Sequence, residues 1–463
     1  MALSCCAAAV SLGAGYEADS DFHVSYAPGM RDSAGRFMGG TEIRALAAHE
    51  GRLYAGNGYW KDRPGPEGSQ GAQILVLDGP GAQWRVEHAF DDRQPNGRPR
   101  DFAVSALSDI RFATDASGAR LAKPVAMLIA STWDLTGASR VFSRDDGTDT
   151  WVAMTLAQDR PAPGFLPQVR SFGVHRDRVT GVDHVFAGQD PRGIFRGSYD
   201  PGVEGRIRWT TTPELDIAGI DTQPFRGLTG RLRVTSFAEC GGRLYAAVGQ
   251  QVYERIDGTS PRWRLIYANP HPFRSESGLR GLTAVAGGQG NQVLLAAIEG
   301  VNARIVRIDP RDGSEATELE LSRFLADAWK MRVGYAIAAY NEMTAYGDVL
   351  LIGLEAFIPR GSAIAEDYRS IDLGYGSVDA GAWYLVRHPD ARYELHRVSV
   401  AEQGAGTPRV ATRTIRVSPF ADDATIYFGG YDANKVDAHN TAWIVRGSIS
   451  TVLGPSSHGG LVR

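Results

Sequence analysis

Cysteine is scarce in this sequence, which has only three cysteines among its 463 residues. Cys5 and Cys6 stand side by side near the start, and Cys240 is the one cysteine in the rest of the chain. A disulfide framework of the kind that stabilises small secreted domains is therefore excluded. A chain of this length can bury a large apolar core instead, and 43% of its residues are hydrophobic.

Other features are missing too, and each absence argues against a class of function. The net charge is −4, so no basic excess indicates a nucleic-acid partner. No run of about 18 apolar residues could form a transmembrane segment. The sequence has no Gly-rich phosphate loop, no His-Glu-x-x-His, no Cys-x-x-Cys and no Gly-x-Ser-x-Gly motif, so it lacks the signatures of the enzyme classes that they mark.

The first residues, MALSCCAAAVSLGAGYEADS, resemble a secretory leader. An alanine-rich apolar stretch is followed by small residues, which is the order found in a signal peptide and its cleavage site, although a basic start is lacking. We therefore expect residues 1–20 to be a leader and the protein to be periplasmic or extracellular. We also expect a main domain over residues 21–450 and a flexible, Gly/Ser-rich tail over residues 451–463.

Glycine is abundant, and the chain repeats itself. The 55 glycines and 23 prolines follow no triplet period, which indicates frequent turns and few long helices. IRALAAHEGRLYAGNG from Ile43 aligns without a gap with VTSFAECGGRLYAAVG from Val234. The core of this pattern occurs seven times, as LYAGNG from residue 53, LIASTW from 128, VFAGQD from 185, LYAAVG from 244, LLAAIE from 294, LLIGLE from 350 and YFGGYD from 427.

The copies begin 50 to 77 residues apart, which is enough for four short strands each. Four strands per repeat are typical of a β-propeller blade. The turns in SRDDGTDTW, residues 143–151, and ERIDGTSPRW, residues 254–263, resemble the Asp-box of sialidase-like propellers. The chain resembles Asp-box and kelch-like propellers in plan, a resemblance that implies a fold and says nothing about activity.

The seventh copy lacks a convincing fourth strand, while an unassigned strand, DFHVSY, precedes the first copy. We therefore predict an all-β, seven-bladed propeller in which residues 21–26 complete the last blade and close the ring. One helix is expected, over residues 322–340. A long insertion is expected in blade six, over residues 355–383.

In a propeller, equivalent positions of the repeat form rings around the axis. The position that ends each second strand reads Gly58, Trp133, Asp190, Gly249, Glu299, Glu355 and Asp432. The second position of each first strand reads Arg44, Ser105, Arg170, Thr235, Thr283, Asn341 and Ser418. Carboxylates facing arginines could bind a metal ion or shift a carboxyl pKa. Alternatively, these groups satisfy one another and ordered water in a wet channel.

The loop of residues 431–442 joins two strands of blade seven and should overhang the channel, with GQDPRG of blade three as its counterpart. Histidine beside carboxylates suits acid–base chemistry. The hypothesis assigns catalysis to His439, Asp432 and Asp190. It assigns ligand binding to Arg44, Arg170, Arg192, Asn434, Asn440, Trp60 and Trp133. It assigns Glu299 and Glu355 to a divalent cation such as Ca²⁺.

Two functional hypotheses remain at this point. The first is an exported enzyme that acts on an anionic, carbohydrate ligand in the channel by lyase or hydrolase chemistry, because arginine forks suit carboxylate or sulfate and loop aromatics can stack on sugar rings. The second is a non-catalytic scaffold that binds a ligand or another protein. In either case we expect a monomer with a small-molecule or oligosaccharide ligand.

Overall fold

The computed structural model describes residues 22–59, 65, 67–160, 167–218, 220, 232–272, 278–366, 376–400, 409–431 and 439–454. Almost all regular structure in these residues is antiparallel β-sheet. None of the helices among them is long and apolar enough to cross a membrane. We group the strands into consecutive strand sets, numbered 1 to 7 along the chain.

The chain begins with three short strands, followed by sets 1 and 2. The first three are β1 (Phe22–Tyr26), β2 (Met30–Arg31) and β3 (Phe37–Met38). Set 1 contains β4 (Glu42–His49), β5 (Arg52–Gly58), β6 (Gln73–Leu77) and β7 (Arg85–Ala89). Set 2 contains β8 (Asp101–Thr114), β9 (Arg120–Asp134), β10 (Ala138–Asp145) and β11 (Thr150–Gln158).

Sets 3, 4 and 5 are separate antiparallel sheets. Set 3 contains β12 (Gln168–Arg176), β13 (Asp183–Asp190), β14 (Gly193–Tyr199), a 3₁₀ turn (Glu204–Arg206), β15 (Ile207–Trp209) and β16 (Leu215–Asp216). Set 4 contains β17 (Val234–Cys240), β18 (Arg243–Val248), β19 (Gln251–Ile256) and β20 (Arg262–Ala268). Set 5 contains β21 (Leu279–Ala286), a 3₁₀ turn (Gly288–Gly290), β22 (Gln292–Ile298), β23 (Arg304–Ile308) and β24 (Glu315–Leu319).

Helix α1 (Leu321–Trp329) leads into the last two sets. Set 6 contains β25 (Tyr335–Ala338), β26 (Thr344–Tyr346), β27 (Val349–Pro359), helix α2 (Ala363–Glu366), β28 (Ser377–Asp379), β29 (Trp383–Arg387) and β30 (Tyr393–Arg397). Set 7 contains β31 (Val410–Val417), β32 (Thr425–Tyr431) and β33 (Trp443–Ser448), followed by helix α3 (Ile449–Leu453).

Strand β1 supplies the fourth strand of set 7, as the sequence predicted. It pairs antiparallel with β33, with Phe22 opposite Gly447. Phe22 is buried, and a Cβ at Gly447 would lie 2.7 Å from its ring, so the pairing needs glycine there. The end of the chain differs from expectation. Helix α3 takes in residues 451–453 of the expected flexible tail, and Val452 is buried.

The expected helix over residues 322–340 is wrong in its second half. Helix α1 ends at Lys330, which adopts a left-handed conformation with φ of 55°. Residues after Gly334 form β25, which pairs with β27. The burial pattern explains the change, because apolar burial recurs at every fourth residue in α1 but at every second residue in β25.

The apolar core is divided among the interfaces between consecutive sets. Each neighbouring pair of sets, and also the pair of sets 7 and 1, shares one large cluster of buried side chains. In β5, Leu53 contributes to the cluster shared with set 7, and the next residue, Tyr54, to the one shared with set 2. Both faces of the sheet are therefore buried, because successive side chains of a strand point to opposite faces.

Hydroxyl groups join the first strand of one set to that of the next. They bond main-chain groups of the neighbouring set, so they satisfy buried polar atoms and hold the sets in register. These links are Ser105 Oγ to Val169 O (2.6 Å), Ser171 Oγ to Val234 O (2.9 Å), Leu282 N to Ser236 Oγ (3.1 Å), Thr344 Oγ1 to Ile415 O (2.8 Å) and Leu46 N to Thr414 Oγ1 (3.2 Å).

Candidate functional site

A cavity lies where the first strands of the sets meet. Its volume is about 180 Å³, and it is partly open to solvent. All seven sets contribute to its lining, through Leu46, Ser105, Arg170, Thr235, Leu282, Asn341 and Thr414 among others. We call it the central cavity. Its wall is polar at the positions that the repeat places in rings.

A β-bulge in the first strands sets the direction of these side chains. The pairing register shifts by one residue and leaves one residue of the first strand without a partner. Such a bulge twists the strand and re-aims the extra side chain. The residues at the bulge are Arg44, Ser105, Arg170, Thr235 and Arg413.

Two ring positions expected from the sequence are therefore wrong. Arg413, not Ser418, occupies the bulge of set 7, and Ser418 lies beyond the other end of β31, where its N–H bonds to Thr425 O at 3.0 Å. In set 5 the register shift precedes Thr283, which pairs with Leu295. The repeat pattern could not reveal this, because the position of a bulge depends on how the two strands pair, which the residue types alone do not specify.

Buried carboxylates pair with arginines at the same end of three sets. Arg170 Nε donates to Asp190 Oδ2 at 2.9 Å, Arg280 pairs with Glu299, and Arg413 Nη1 lies 2.8 Å from Glu355 Oε2. In set 1 the arginine pairs along its own strand, with Arg44 Nη1 at 3.1 Å from Glu42 Oε1. Of the arginines and carboxylates expected to face one another, Arg170 and Asp190 pair within set 3, whereas Glu355 of set 6 pairs with Arg413 of set 7. Asp432 is outside the described residues.

Three of these arginines surround one tyrosine, Tyr340, in the segment between β25 and β26. The guanidinium carbons of Arg413, Arg280 and Arg44 lie 3.8, 4.4 and 5.6 Å from the centroid of its ring. Arg44 Nη2 also donates to Tyr340 Oη at 3.3 Å, and Arg280 Nη1 donates to Tyr340 O at 3.1 Å. The ring is half-buried. We call these four residues the Tyr340 cluster.

The electrostatics of the Tyr340 cluster favour a tyrosinate. Burial alone would raise the pKa of Tyr340, but the positive charges of Arg44, Arg413 and the other nearby arginines outweigh it and lower the pKa to about 7. Burial raises the pKa of Glu355, and Arg413 opposes this shift. The cluster therefore places a phenol that can change charge near neutral pH beside several fixed positive charges.

Of the other predicted ligand-binding residues, Trp133 lies beside the cluster and Arg192 does not. The guanidinium of Arg44 lies 4.5 Å from the centroid of the Trp133 ring. Arg192 instead pairs with Asp159 at 3.0 Å, and its side chain is 43% exposed. Trp60 is outside the described residues, as are two members of the predicted loop site, Asp432 and Asn434.

The histidine expected to act in catalysis has a carboxylate and an amide beside it among the described residues. His439 Nε2 lies 2.7 Å from Glu67 Oε1 and 2.9 Å from Asn440 Nδ2. Neither of these residues belongs to the Tyr340 cluster. Among the described residues, the predicted site residues that take part in the arginine–carboxylate pairs are Arg44, Arg170, Asp190, Glu299 and Glu355. His439 and Asn440 contact each other instead.

Glu299 and Glu355 were expected to bind a cation, and each has an arginine at ion-pair distance. In the part of the chain that the structure describes, no group of three histidine, cysteine, aspartate or glutamate side chains could hold a metal ion. Arginine supplies the offsetting positive charge that the carboxylates need. A Ca²⁺ site at this position stays a prediction.

Sequence reasoning did not assign Tyr340, Arg280 or Arg413 to the site. Tyr340 was assigned to the second half of the expected helix. The alternation of YAIAAY after Gly334 was the available signal, since a period of two predicts a strand and not a helix.

Comparison with known proteins adds little to this geometry. No protein-family model matches the chain, and no curated protein matches it. Among solved structures, one described as "putative exo-beta-1,3-galactanase from Bifidobacterium bifidum s17" is similar over 63% of this chain and 95% of that chain. The identity is 13% and the TM-score is 0.32, so this likeness supports no statement about fold or activity here.

Proposed function

We propose that the seven strand sets are the blades of a seven-bladed β-propeller whose axis runs through the central cavity. Two observations support this arrangement. The apolar clusters follow the order of the sets and return from set 7 to set 1, and every set contributes to the lining of one cavity. Strand β1 would then close the ring, because it covers the edge of β33 in set 7.

Within this propeller, we propose an exported enzyme that cleaves an anionic carbohydrate by a lyase reaction. The single observation that carries the proposal is the half-buried Tyr340 phenol among Arg44, Arg280 and Arg413, with its pKa lowered to about 7. A base whose pKa is close to the working pH is the most effective proton acceptor. Perturbed titratable groups in a cavity are typical of functional sites.

The chemistry is an elimination next to a sugar carboxylate. Tyr340 Oη, as the phenolate, takes the proton from the ring carbon that bears the carboxylate. The electron pair of that C–H bond forms a carbon–carbon double bond, and the bond from the adjacent carbon to the glycosidic oxygen breaks. The oxygen leaves with the bonding pair and takes a proton from the phenol or from water, so charge and protons balance.

The arginines would contribute by neutralising the substrate carboxylate. A paired carboxylate withdraws more electron density from the neighbouring carbon, which makes its proton easier to remove, and fixed cations in a partly closed cavity do this without reorganisation. Hydrolysis fits less well, because it needs two carboxyl groups in distinct roles and Asp190, Glu299 and Glu355 each have an arginine partner.

The non-catalytic scaffold stays the second candidate. The observation that favours it is the same pairing, since ion pairs that satisfy one another can serve the architecture alone. The two candidates differ in what Tyr340 does. A scaffold needs the ring of Tyr340 for packing, whereas a lyase needs the hydroxyl of Tyr340 for proton transfer.

The test is to incubate the protein with polygalacturonate, alginate and glucuronan and to follow the ultraviolet absorbance of the conjugated double bond. We expect cleavage of at least one polymer, and a fall of about 10²- to 10⁴-fold in kcat for Tyr340→Phe. Tyr346→Phe is the matched control, because Tyr346 is half-buried in β26 and outside the Tyr340 cluster. Cleavage by Tyr340→Phe at the original rate, or no cleavage of any polymer, contradicts the lyase proposal.

A further inference from the structure

Arg233, just before β17, is a cation without an ion-pair partner in the described part of the chain. In sets 3 and 5 the second strand ends at a carboxylate that pairs with an arginine, whereas Gly249 stands at that position in set 4. Gly249 has a φ of 57°, a conformation that strains residues with a side chain. Among the described residues, the buried Arg233 Nε has no hydrogen-bond partner.

The nearest acidic group is already engaged. Asp190 Oδ2 accepts from Arg170 Nε at 2.9 Å, and Asp190 Oδ1 accepts from the main-chain N–H of Val234 at 3.2 Å. Burial and the positive charge of Arg170 lower the pKa of Arg233 to about 10, so the guanidinium is destabilised by its surroundings. A bound anion would offset both effects.

A second unsatisfied group lies beside Asp190 in the neighbouring set. Gln168 pairs with Asp190 in the register of β12 and β13. Its side chain is 3% exposed, and its Oε1 has no hydrogen-bond partner among the described residues. Buried polar atoms of this kind normally have a partner, and the loss of one costs about 1–3 kcal/mol.

Arg233 and Gln168 would bind different groups of a ligand. The guanidinium of Arg233 presents N–H groups in a planar fork that matches a carboxylate. Gln168 Oε1 accepts a hydrogen bond, which a hydroxyl can donate. An inorganic anion would satisfy the arginine alone, and a neutral sugar would satisfy the glutamine alone.

We infer that Arg233 and Gln168 form a subsite for one hexuronic acid residue, in which the sugar carboxylate binds the Arg233 guanidinium and a ring hydroxyl donates to Gln168 Oε1. The subsite rests on the proposed function, because it names the substrate class of the enzyme proposed above. It adjoins the Tyr340 cluster through Arg280, whose charge acts on Arg233 and whose Nη1 bonds to Tyr340 O.

The experiment measures binding by calorimetry at low salt, with tetragalacturonate and tetramannuronate as probes. Their methyl esters serve as uncharged controls, and inorganic sulfate tests for an anion alone. We expect at least one acid to bind and its ester to bind at least tenfold more weakly, with Arg233→Gln lowering affinity for the acid to a similar extent. Gln168→Leu should weaken the binding of the acid and leave the binding of sulfate unchanged.

Arg311→Gln is the matched control, because that arginine is exposed and pairs with Asp309 in the turn between β23 and β24. It should bind like the original protein. The melting temperature of Arg233→Gln without ligand should be unchanged or higher, since an unpaired cation has been removed. Equal binding of acid and ester, unchanged binding by Arg233→Gln, or sulfate binding as tightly as the acid overturns the subsite.

Tyr340→Phe separates the two proposals. We expect it to bind the acid as tightly as the original protein while it loses cleavage. Acid binding that depends on Arg233, together with cleavage that does not depend on Tyr340, would reject the lyase proposal and keep the subsite. Cleavage that depends on Tyr340 but not on Arg233 would reject the subsite and keep the lyase.

Discussion

The guanidinium carbon of Arg413 lies 3.8 Å from the centroid of the Tyr340 ring, while Nη1 of the same arginine lies 2.8 Å from Glu355 Oε2. One cation is therefore shared between a buried carboxylate and a phenol. Glu355 belongs to β27 and Tyr340 to the segment between β25 and β26, both in set 6, whereas Arg413 belongs to set 7. The charge state of Tyr340 thus depends on how the first strands of the two sets meet.

Tyr340 should titrate far below the usual tyrosine pKa of about 10. With a folded pKa of about 7, the unfolded chain binds more protons between about pH 7 and 10. Stability should therefore gain up to about 1.4 kcal/mol per pH unit over this window, and this gain is lost as pH falls through about 7. Phenolate absorbance and urea unfolding measure the two effects. Tyr340→Phe should lack both, whereas Tyr346→Phe should keep them.

Replacing one member of the Arg413–Glu355 pair should lower the stability of the fold. Arg413→Met leaves a buried carboxylate without its cation, which lowers the free energy of unfolding by about 3–5 kcal/mol. Adding Glu355→Gln should recover part of the loss, because the uncompensated charge is then gone. Urea unfolding of the two single variants and the double variant measures the coupling. Simple additivity would mean that the pair contributes no interaction of its own.

Strand β1 should be essential to stability. Phe22→Ala removes a buried aromatic side chain from the cluster shared by sets 6 and 7 and should cost about 3–5 kcal/mol. The adjacent exposed residue gives the control, since His23→Ala should change stability by less than about 0.5 kcal/mol. Thermal unfolding compares the two variants. An equal effect of both would show that β1 does not hold set 7 together.

His49 should make stability depend on pH. Its Nδ1 lies 2.6 Å from Asp109 Oδ1 and its Nε2 lies 3.1 Å from Asp146 Oδ1, a carboxylate that also pairs with Arg144. Burial lowers the pKa of His49, but the hydrogen bonds and charges of Asp109 and Asp146 outweigh it and raise the pKa. The stabilisation is thus complete below the unfolded pKa of about 6.5 and is lost as pH rises through the folded pKa.

Replacing His49 with glutamine tests this directly. The difference in unfolding free energy between the original protein and His49→Gln should be largest at acidic pH and should shrink as pH rises. His23→Gln is the control, because His23 is exposed on β1. A difference that stays constant with pH would mean that His49 has the same pKa in the folded and the unfolded protein.

Much of the β-structure was predictable because its signal is local. Alternating apolar residues around the shared Gly-Arg-Leu-Tyr predicted the strands that became β4 and β5 in set 1 and β17 and β18 in set 4. The orphan strand before the first repeat could be matched to the incomplete last repeat, and it does pair with β33. The repeat also indicated which positions bring Arg170 and Asp190 together.

What the sequence by itself determined is the strand pattern and the polar character of the positions that end up around the cavity, since both follow from the order of residue types along short segments. Only the tertiary structure decided which contacts each polar residue makes. Ser105 joins two sets, whereas Arg413, at the equivalent bulge, contacts Tyr340. The lowered pKa of Tyr340 arises from arginines of several sets acting together, and no local pattern encodes a sum of charges that meet only when the sets pack.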